Sequence, residues 1–196
     1  WSMHTKGIIF DLYNTLIYSD ESRTSPYSQF LGSLGLTKKE SSKWIDRILT
    51  ENFNSLDDIK NIINPKSPIN TDIYEFKIQE EIDSTIVFDD TYSTLEILSK
   101  KYKLFLLSNV ATPYKKCFYN LSLDKYIDNP FFSCDLGYRK PQKELFEIVI
   151  KHSGFNPNEL IMIGDSLRSD YQGALDCGIP SILKNKSLSL ILSDLT

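Results

Sequence analysis

The stretch Gly7-Ile8-Ile9-Phe10-Asp11-Leu12-Tyr13-Asn14-Thr15-Leu16 sets a continuous apolar run against a turn that opens on a carboxylate. Unbroken apolarity over four residues, rather than alternation, marks a strand buried on both faces. Four further runs share that texture: Leu104-Phe105-Leu106-Leu107, Phe131-Phe132-Ser133-Cys134, Leu160-Ile161-Met162-Ile163 and Pro180-Ser181-Ile182-Leu183. Helical spacing lies between several of them. Leu95, Leu98 and Lys101 punctuate one segment, and Leu145, Phe146, Val149 and Ile150 stripe another at i, i+1, i+4 and i+5. Strands alternating with helices predict right-handed crossovers and a parallel sheet. The fold class is read as α/β.

From Ile17 to Thr85 the rhythm changes. There is no buried-strand run, but amphipathic segments span 27–36, 38–49, 56–63 and 72–82, separated by Gly35, Thr37, Asn54-Ser55 and Asn64-Pro65-Lys66-Ser67-Pro68. Thr37-Lys38-Lys39-Glu40 fits a capping box. The expected organisation is an α/β core over 3–16 and 86–196, with a helical insertion over 17–85.

Composition narrows the function classes. The chain has 196 residues, 41% apolar and 24% charged, with 22 Lys+Arg against 26 Asp+Glu for a net charge of −4. That fits one ordinary globular domain with an inserted subdomain. The acidic balance argues against a nucleic-acid binder, which presents a basic stripe. No 18-residue apolar window predicts a membrane span, and the few residues before the first strand leave no room for a signal peptide. Cys117, Cys134 and Cys177 are scattered, as expected for buried thiols in a cytoplasmic protein.

In open α/β sheets, ligands bind beyond the carboxyl ends of the strands. The residues after the runs are Asp11 with Tyr13 and Thr15, then Ser108-Asn109, then Gly137-Tyr138-Arg139-Lys140-Pro141, then Gly164-Asp165-Ser166-Leu167-Arg168-Ser169-Asp170. Taken singly, each has a plainer reading. Asp11 and Asp170 suit turn or helix caps, Ser108-Asn109 suits a turn, and Lys140 suits a solvated surface. Their order along one sheet edge is what lifts them. His4 and His152 show no partner pattern.

Those four segments resemble the four motifs of the haloacid dehalogenase-like hydrolase superfamily: an aspartate nucleophile, a hydroxyl, a lysine and an acidic G-D…D motif. The resemblance spans about Lys6 to Leu183, and its most specific part is Gly164 to Asp170, continuing into Gly173-Ala174 and Gly178-Ile179-Pro180. It implies a Rossmann-like parallel sheet with helices on both faces and a helical cap. It also implies Asp11 as nucleophile, Lys140 offsetting charge, and Thr15, Ser108 and Asn109 binding phosphate. Asp11, Asp165 and the Tyr13 carbonyl would hold Mg²⁺, with Asp170 supporting the metal's neighbours.

Elementary chemistry points the same way. A carboxylate ionised at neutral pH serves as a nucleophile, hard oxygen ligands suit Mg²⁺, and phosphoryl transfer needs positive charge around the equatorial oxygens. One departure stands out: most phosphatases of the superfamily carry a second Asp where this chain has Tyr13. The metal-dependent phosphatase of a small phosphate monoester is therefore weighed against a dehalogenase-type C–X hydrolase and a weakly active phosphate-binding member. The insertion offers Arg23, Tyr27, Trp44, Arg47, Phe53 and Tyr74 as specificity residues, and no motif chooses among them. Oligomeric state is not legible.

Overall fold

The structure, a computed structural model, describes residues 4–19 and 24–195. In chain order the core elements are β1 (Gly7–Phe10) and then, after the insertion, α5 (Thr91–Ser99), β4 (Lys103–Ser108), α6 (Lys115–Asn120) and β5 (Pro130–Phe132). They continue with α7 (Ser133–Leu136), α8 (Lys143–Ser153), β6 (Leu160–Gly164), a π-helical turn (Leu167–Gln172), α9 (Gly173–Asp176), β7 (Ser181–Leu183) and α10 (Leu188–Leu195). Between β1 and α5 lie β2 (Ile17–Ser19), α1 (Pro26–Ser33), α2 (Lys38–Thr50), α3 (Leu56–Ile63), α4 (Asp72–Ser84) and β3 (Thr85–Val87).

The sheet has five parallel strands in the order β5-β4-β1-β6-β7. Alternate side chains explain why every strand reads as apolar throughout. Ile8, Phe10, Leu104, Leu106, Ile161 and Ile163 pack with α5, α6 and α10 on one face. Ile9, Phe105, Leu107, Leu160 and Met162 pack with α8 and α9 on the other. Both faces are covered, so no strand carries a polar face. β1 is central, and the strand order reverses at its carboxyl end, the place where such sheets bind ligands.

Two departures from the sequence reading have local causes. The run Phe131-Phe132-Ser133-Cys134 ends as a strand at Phe132, because Ser133 turns the chain into α7 and its hydroxyl accepts the Val110 N–H at 3.0 Å. The region from Ile17 to Thr85 also contains strand: β2 and β3 pair antiparallel through Ile17–Val87, Tyr18–Ile86 and Ser19–Thr85. Each arm has only three residues and is partly exposed, too short to show a period.

That ribbon frames α1–α4. Thr37 and Glu40 form a reciprocal capping box at α2, and Ser55 accepts the Asp58 N–H at α3, each cap typically contributing about 1 kcal/mol. Tyr27, Phe30, Leu31, Ile48, Leu56, Ile59, Ile78 and Ile82 turn inward and join the core cluster through Leu12, Leu16 and Tyr114. Among the described residues, no helix is long and apolar enough to cross a membrane.

Candidate active site

Asp11 leaves β1 at the switch point, and its backbone N–H donates to Ile163 O at 2.9 Å, which fixes the first turn against β6. Its carboxylate is buried and held from two sides. Lys140 Nζ donates to Oδ1 at 2.8 Å, and Thr15 Oγ1 donates to Oδ2 at 3.2 Å.

Lys140 comes from the loop between α7 and α8, 129 positions away in sequence. It is 2% exposed and uses its three donors fully: on Asp11 Oδ1, on Leu107 O at 2.8 Å and on Asp170 Oδ1 at 2.5 Å. Its backbone is set by Asn109. The Lys140 N–H donates to Asn109 Oδ1 at 2.8 Å, and Asn109 Nδ2 donates to the Lys140 carbonyl at 3.0 Å.

Asp170 lies in the π-helical turn, a feature that recurs at functional sites. Its N–H donates to Ser166 O, and its Oδ2 accepts the Ser166 N–H at 3.0 Å, so the turn folds the carboxylate back toward Lys140. Gly164 allows this close approach, because a Cβ there would overlap the Asp170 carboxyl. Asp165, the least buried of the three acids, completes a group with Asp11 and Asp170 in which one oxygen from each lies within 4.8 Å of the others.

Two carboxylates thus share one ammonium, with a third carboxylate, Asp165, beside them. Burial pushes the Asp11 carboxyl above the usual carboxylate range, Lys140 opposes that, and Asp165 adds to it. Asp170 is raised by burial in the same way, again opposed by Lys140. Burial alone would lower the Lys140 ammonium, but Asp11 and Asp170 outweigh it and hold it above the ordinary lysine value. The donor set is all oxygen with surplus negative charge, the chemistry that suits a hard divalent cation such as Mg²⁺.

The structure gathers Asp11, Lys140, Asp165 and Asp170 directly, with Thr15 and Asn109 around them. Thr15 is 0% exposed, and its hydroxyl serves Asp11. Asn109 spends both ends of its amide on Lys140, and Ser108 is buried at the end of β4. The Tyr13 phenol donates to Cys117 Sγ at 2.9 Å and packs edge-on to Tyr114, ring centroids 6.2 Å apart. Burial, with Cys117 alongside, holds that phenol well above its ordinary pKa. It is a protonated donor, not a base.

Two features went unnoticed in the sequence. Lys184, just past β7, donates to the Thr15 carbonyl at 2.9 Å and lies 3.4 Å from the Phe88 ring centroid, clamping the Asp11–Leu16 turn. Applied to the fifth apolar run, the strand-end rule finds it. The Tyr13–Cys117 pair has no such signal, since 104 positions separate the two residues.

The helical insertion closes over this edge through polar contacts. Tyr114 OH donates to Glu81 Oε2 at 2.9 Å, Arg139 pairs with Asp46 at 2.7 Å, and Asn52 bridges Thr112 and Asp135. Of the specificity candidates, Arg47 stacks over Trp44 with Phe53 beside them, and Tyr74 packs on Phe30. Tyr27 faces the seam with the core, its ring centroid 6.4 Å from that of Tyr114. Arg23 lies outside the described residues.

Comparison with known proteins agrees with this architecture. A glyceraldehyde 3-phosphate phosphatase of Methanothermobacter thermautotrophicus is 26% identical, over 94% of this chain and 87% of its own length. A phosphoglycolate phosphatase of Salmonella typhimurium is 30% identical over 57% of this chain, which spans 44% of that protein. A HAD family enzyme of Bacteroides thetaiotaomicron, crystallised with magnesium and inorganic phosphate, shares the fold at a TM-score of 0.72. It is 18% identical, over 95% of this chain and 98% of the other. Finally, the haloacid dehalogenase-like hydrolase family model matches residues 5–178, everything from β1 to α9, so the chain belongs to that family of hydrolases.

Proposed function

We propose that the protein is a Mg²⁺-dependent phosphatase of a small phosphate monoester. The observation that carries this reading is the grouping of three carboxylates, Asp11, Asp165 and Asp170, of which only Asp11 and Asp170 are paired with the ammonium of Lys140. Left alone, buried like charges are costly. Asp11, Asp165 and the Tyr13 carbonyl would hold a divalent cation, whose charge would balance them. The relatives named as phosphatases favour the same reaction.

When bound, Mg²⁺ would supply positive charge to the transferring phosphoryl group. The rest falls to the chain. Thr15 and Lys140 fix the Asp11 carboxylate, and Lys140 adds charge stabilisation next to the nucleophile. Asp11 attacks phosphorus, the P–O bond to the leaving alcohol breaks, and the phosphoryl group is carried on the aspartate until water releases it. Asn109 and Asp170 act through Lys140 by holding its backbone and its ammonium. The insertion, residues 17–85, serves as the cap that excludes water and reads the leaving group.

Tyr13 is the observation that favours a second reading, a dehalogenase-type C–X hydrolase, because it places no carboxylate two positions after Asp11. Asp165 weighs against it, since displacement of halide needs no cation. Phosphate release from an aryl phosphate with Mg²⁺, set beside halide release from 2-chloropropionate, separates the two. Halide release without phosphate release would overturn the proposal.

A further inference from the structure

A pocket of about 300 Å³ lies between the insertion and the core, beginning at Tyr13 and Asn109, the residues two past Asp11 and one past Ser108. At the low end of small-molecule site volumes, it has room for a single-ring ligand. Its lining is mostly aromatic and aliphatic. Tyr13, Tyr27 and Tyr114 contribute aromatic rings, and Ile45, Ile48 and Leu49 of α2 contribute aliphatic surface. Tyr114 lies 6.2 Å from Tyr13 and 6.4 Å from Tyr27, centroid to centroid, so the three form one continuous aromatic wall. Glu81 of α4 is the only charged residue in that lining. It accepts from Tyr114 OH, and no cation among the described residues pairs with it.

Resting on the phosphatase reading, the geometry points to a substrate class: phosphate esters of a phenol-type alcohol that carries an amine, the ring in the aromatic pocket and the ammonium on Glu81.

Two independent observations converge on this. The first is the pocket, whose apolar walls reward a flat ring and whose lone carboxylate rewards a cation. The second is the absence of an acid at Tyr13, whose phenol is committed to Cys117. When Asp11 attacks, the P–O bond breaks and the leaving oxygen keeps the electron pair. An alkyl alcohol, a far weaker acid than a phenol, needs a proton donor at that moment. A phenol, titrating near about 10, leaves as the phenolate and takes its proton from water afterwards. A site without the acid and with an aromatic pocket favours the second kind of leaving group.

The test has a binding arm and a kinetic arm. Calorimetry without metal measures tyramine, the amine-bearing phenol itself, against glycerol. The expected result is one tyramine per chain, weakened about tenfold by Glu81→Gln, with no glycerol binding. Gln keeps the acceptor for Tyr114, so the fold is preserved. The kinetic arm compares kcat/KM for tyramine phosphate, phenyl phosphate and glycerol 3-phosphate with Mg²⁺. The expected order is as written, with the tyramine-to-phenyl ratio falling about tenfold in Glu81→Gln. Failure of tyramine to bind, a preference for glycerol 3-phosphate, or a ratio untouched by Glu81→Gln overturns the substrate class. Tyramine binding without hydrolysis of any ester overturns the phosphatase reading instead, so the two failures are distinct.

Discussion

Asn109 and Lys140 clasp each other across 31 positions of sequence: the asparagine amide donates to the lysine carbonyl, and its oxygen accepts the lysine N–H. The ammonium that neutralises Asp11 is thereby aimed by a neighbour that never touches it. Asn109→Ala leaves two buried backbone groups unsatisfied, at a cost of about 1–3 kcal/mol. We expect that loss in denaturant unfolding, with kcat lowered about tenfold or more and KM little changed. A raised KM with undiminished stability would place Asn109 on the substrate instead.

Lys140 and Asp11 should respond oppositely to removal. Lys140→Met strands the buried carboxylates Asp11 and Asp170, and breaking such a pair from one side costs about 3–5 kcal/mol. Asp11→Asn relieves a like-charge contact with Asp165 and keeps the shape, so stability should hold or rise. Both variants should lose hydrolysis. Turnover above a few per cent of wild type in Asp11→Asn would remove Asp11 as the nucleophile.

Mg²⁺ should bind in calorimetry with one site per chain, and chelation should abolish phosphate release. Asp165→Asn should weaken that binding tenfold or more, because it removes the most accessible of the three carboxylates. An isotherm unchanged by Asp165→Asn would move the metal elsewhere and bring the dehalogenase reading forward.

Much of this was legible because the sheet is buried on both faces. Ile8, Leu104 and Ile161 point one way and Ile9, Phe105 and Leu160 the other, so each strand is a plain apolar run whose following residue can be named. Lys140 and Asp170 lie farther along the loops after β5 and β6 and were legible through the motifs they belong to, whereas Asp11 and Asp165 follow from that rule. The ribbon of β2 and β3 does not, because three half-exposed residues carry no periodicity. Nor do the duties of Thr15 and Asn109. The resemblance implies phosphate contacts for both, and a hydroxyl or amide in a turn can serve a neighbour and a ligand alike. Only the folded chain shows that Thr15 is sealed against Asp11 and Asn109 against Lys140.

Tyr13 stands two positions past Asp11. Its phenol donates to Cys117 and packs on Tyr114, so Tyr13→Phe removes one hydrogen bond and should cost about 1 kcal/mol of stability. It should not alter the ratio of rates on aryl and alkyl phosphates, since the phenol transfers no proton in the reaction. Tyr13→Asp is the sharper change. It places a carboxyl where phosphatases of the family keep their acid, and a positioned acid–base group is typically worth about 10²–10⁴-fold. That gain should fall on alkyl phosphates, which need a proton as they leave, and scarcely on aryl phosphates, which do not. Both rates also carry a common loss, because the smaller side chain opens the wall shared with Tyr114 and leaves Cys117 without its donor. The informative quantity is therefore the alkyl-to-aryl ratio of kcat/KM, measured for wild type, Tyr13→Phe and Tyr13→Asp under the same Mg²⁺. A ratio that rises only in Tyr13→Asp identifies the absent acid as the limit on alkyl esters. If Tyr13→Phe lowers the alkyl rate selectively, the phenol is itself the proton donor, and its bond to Cys117 must then open during turnover.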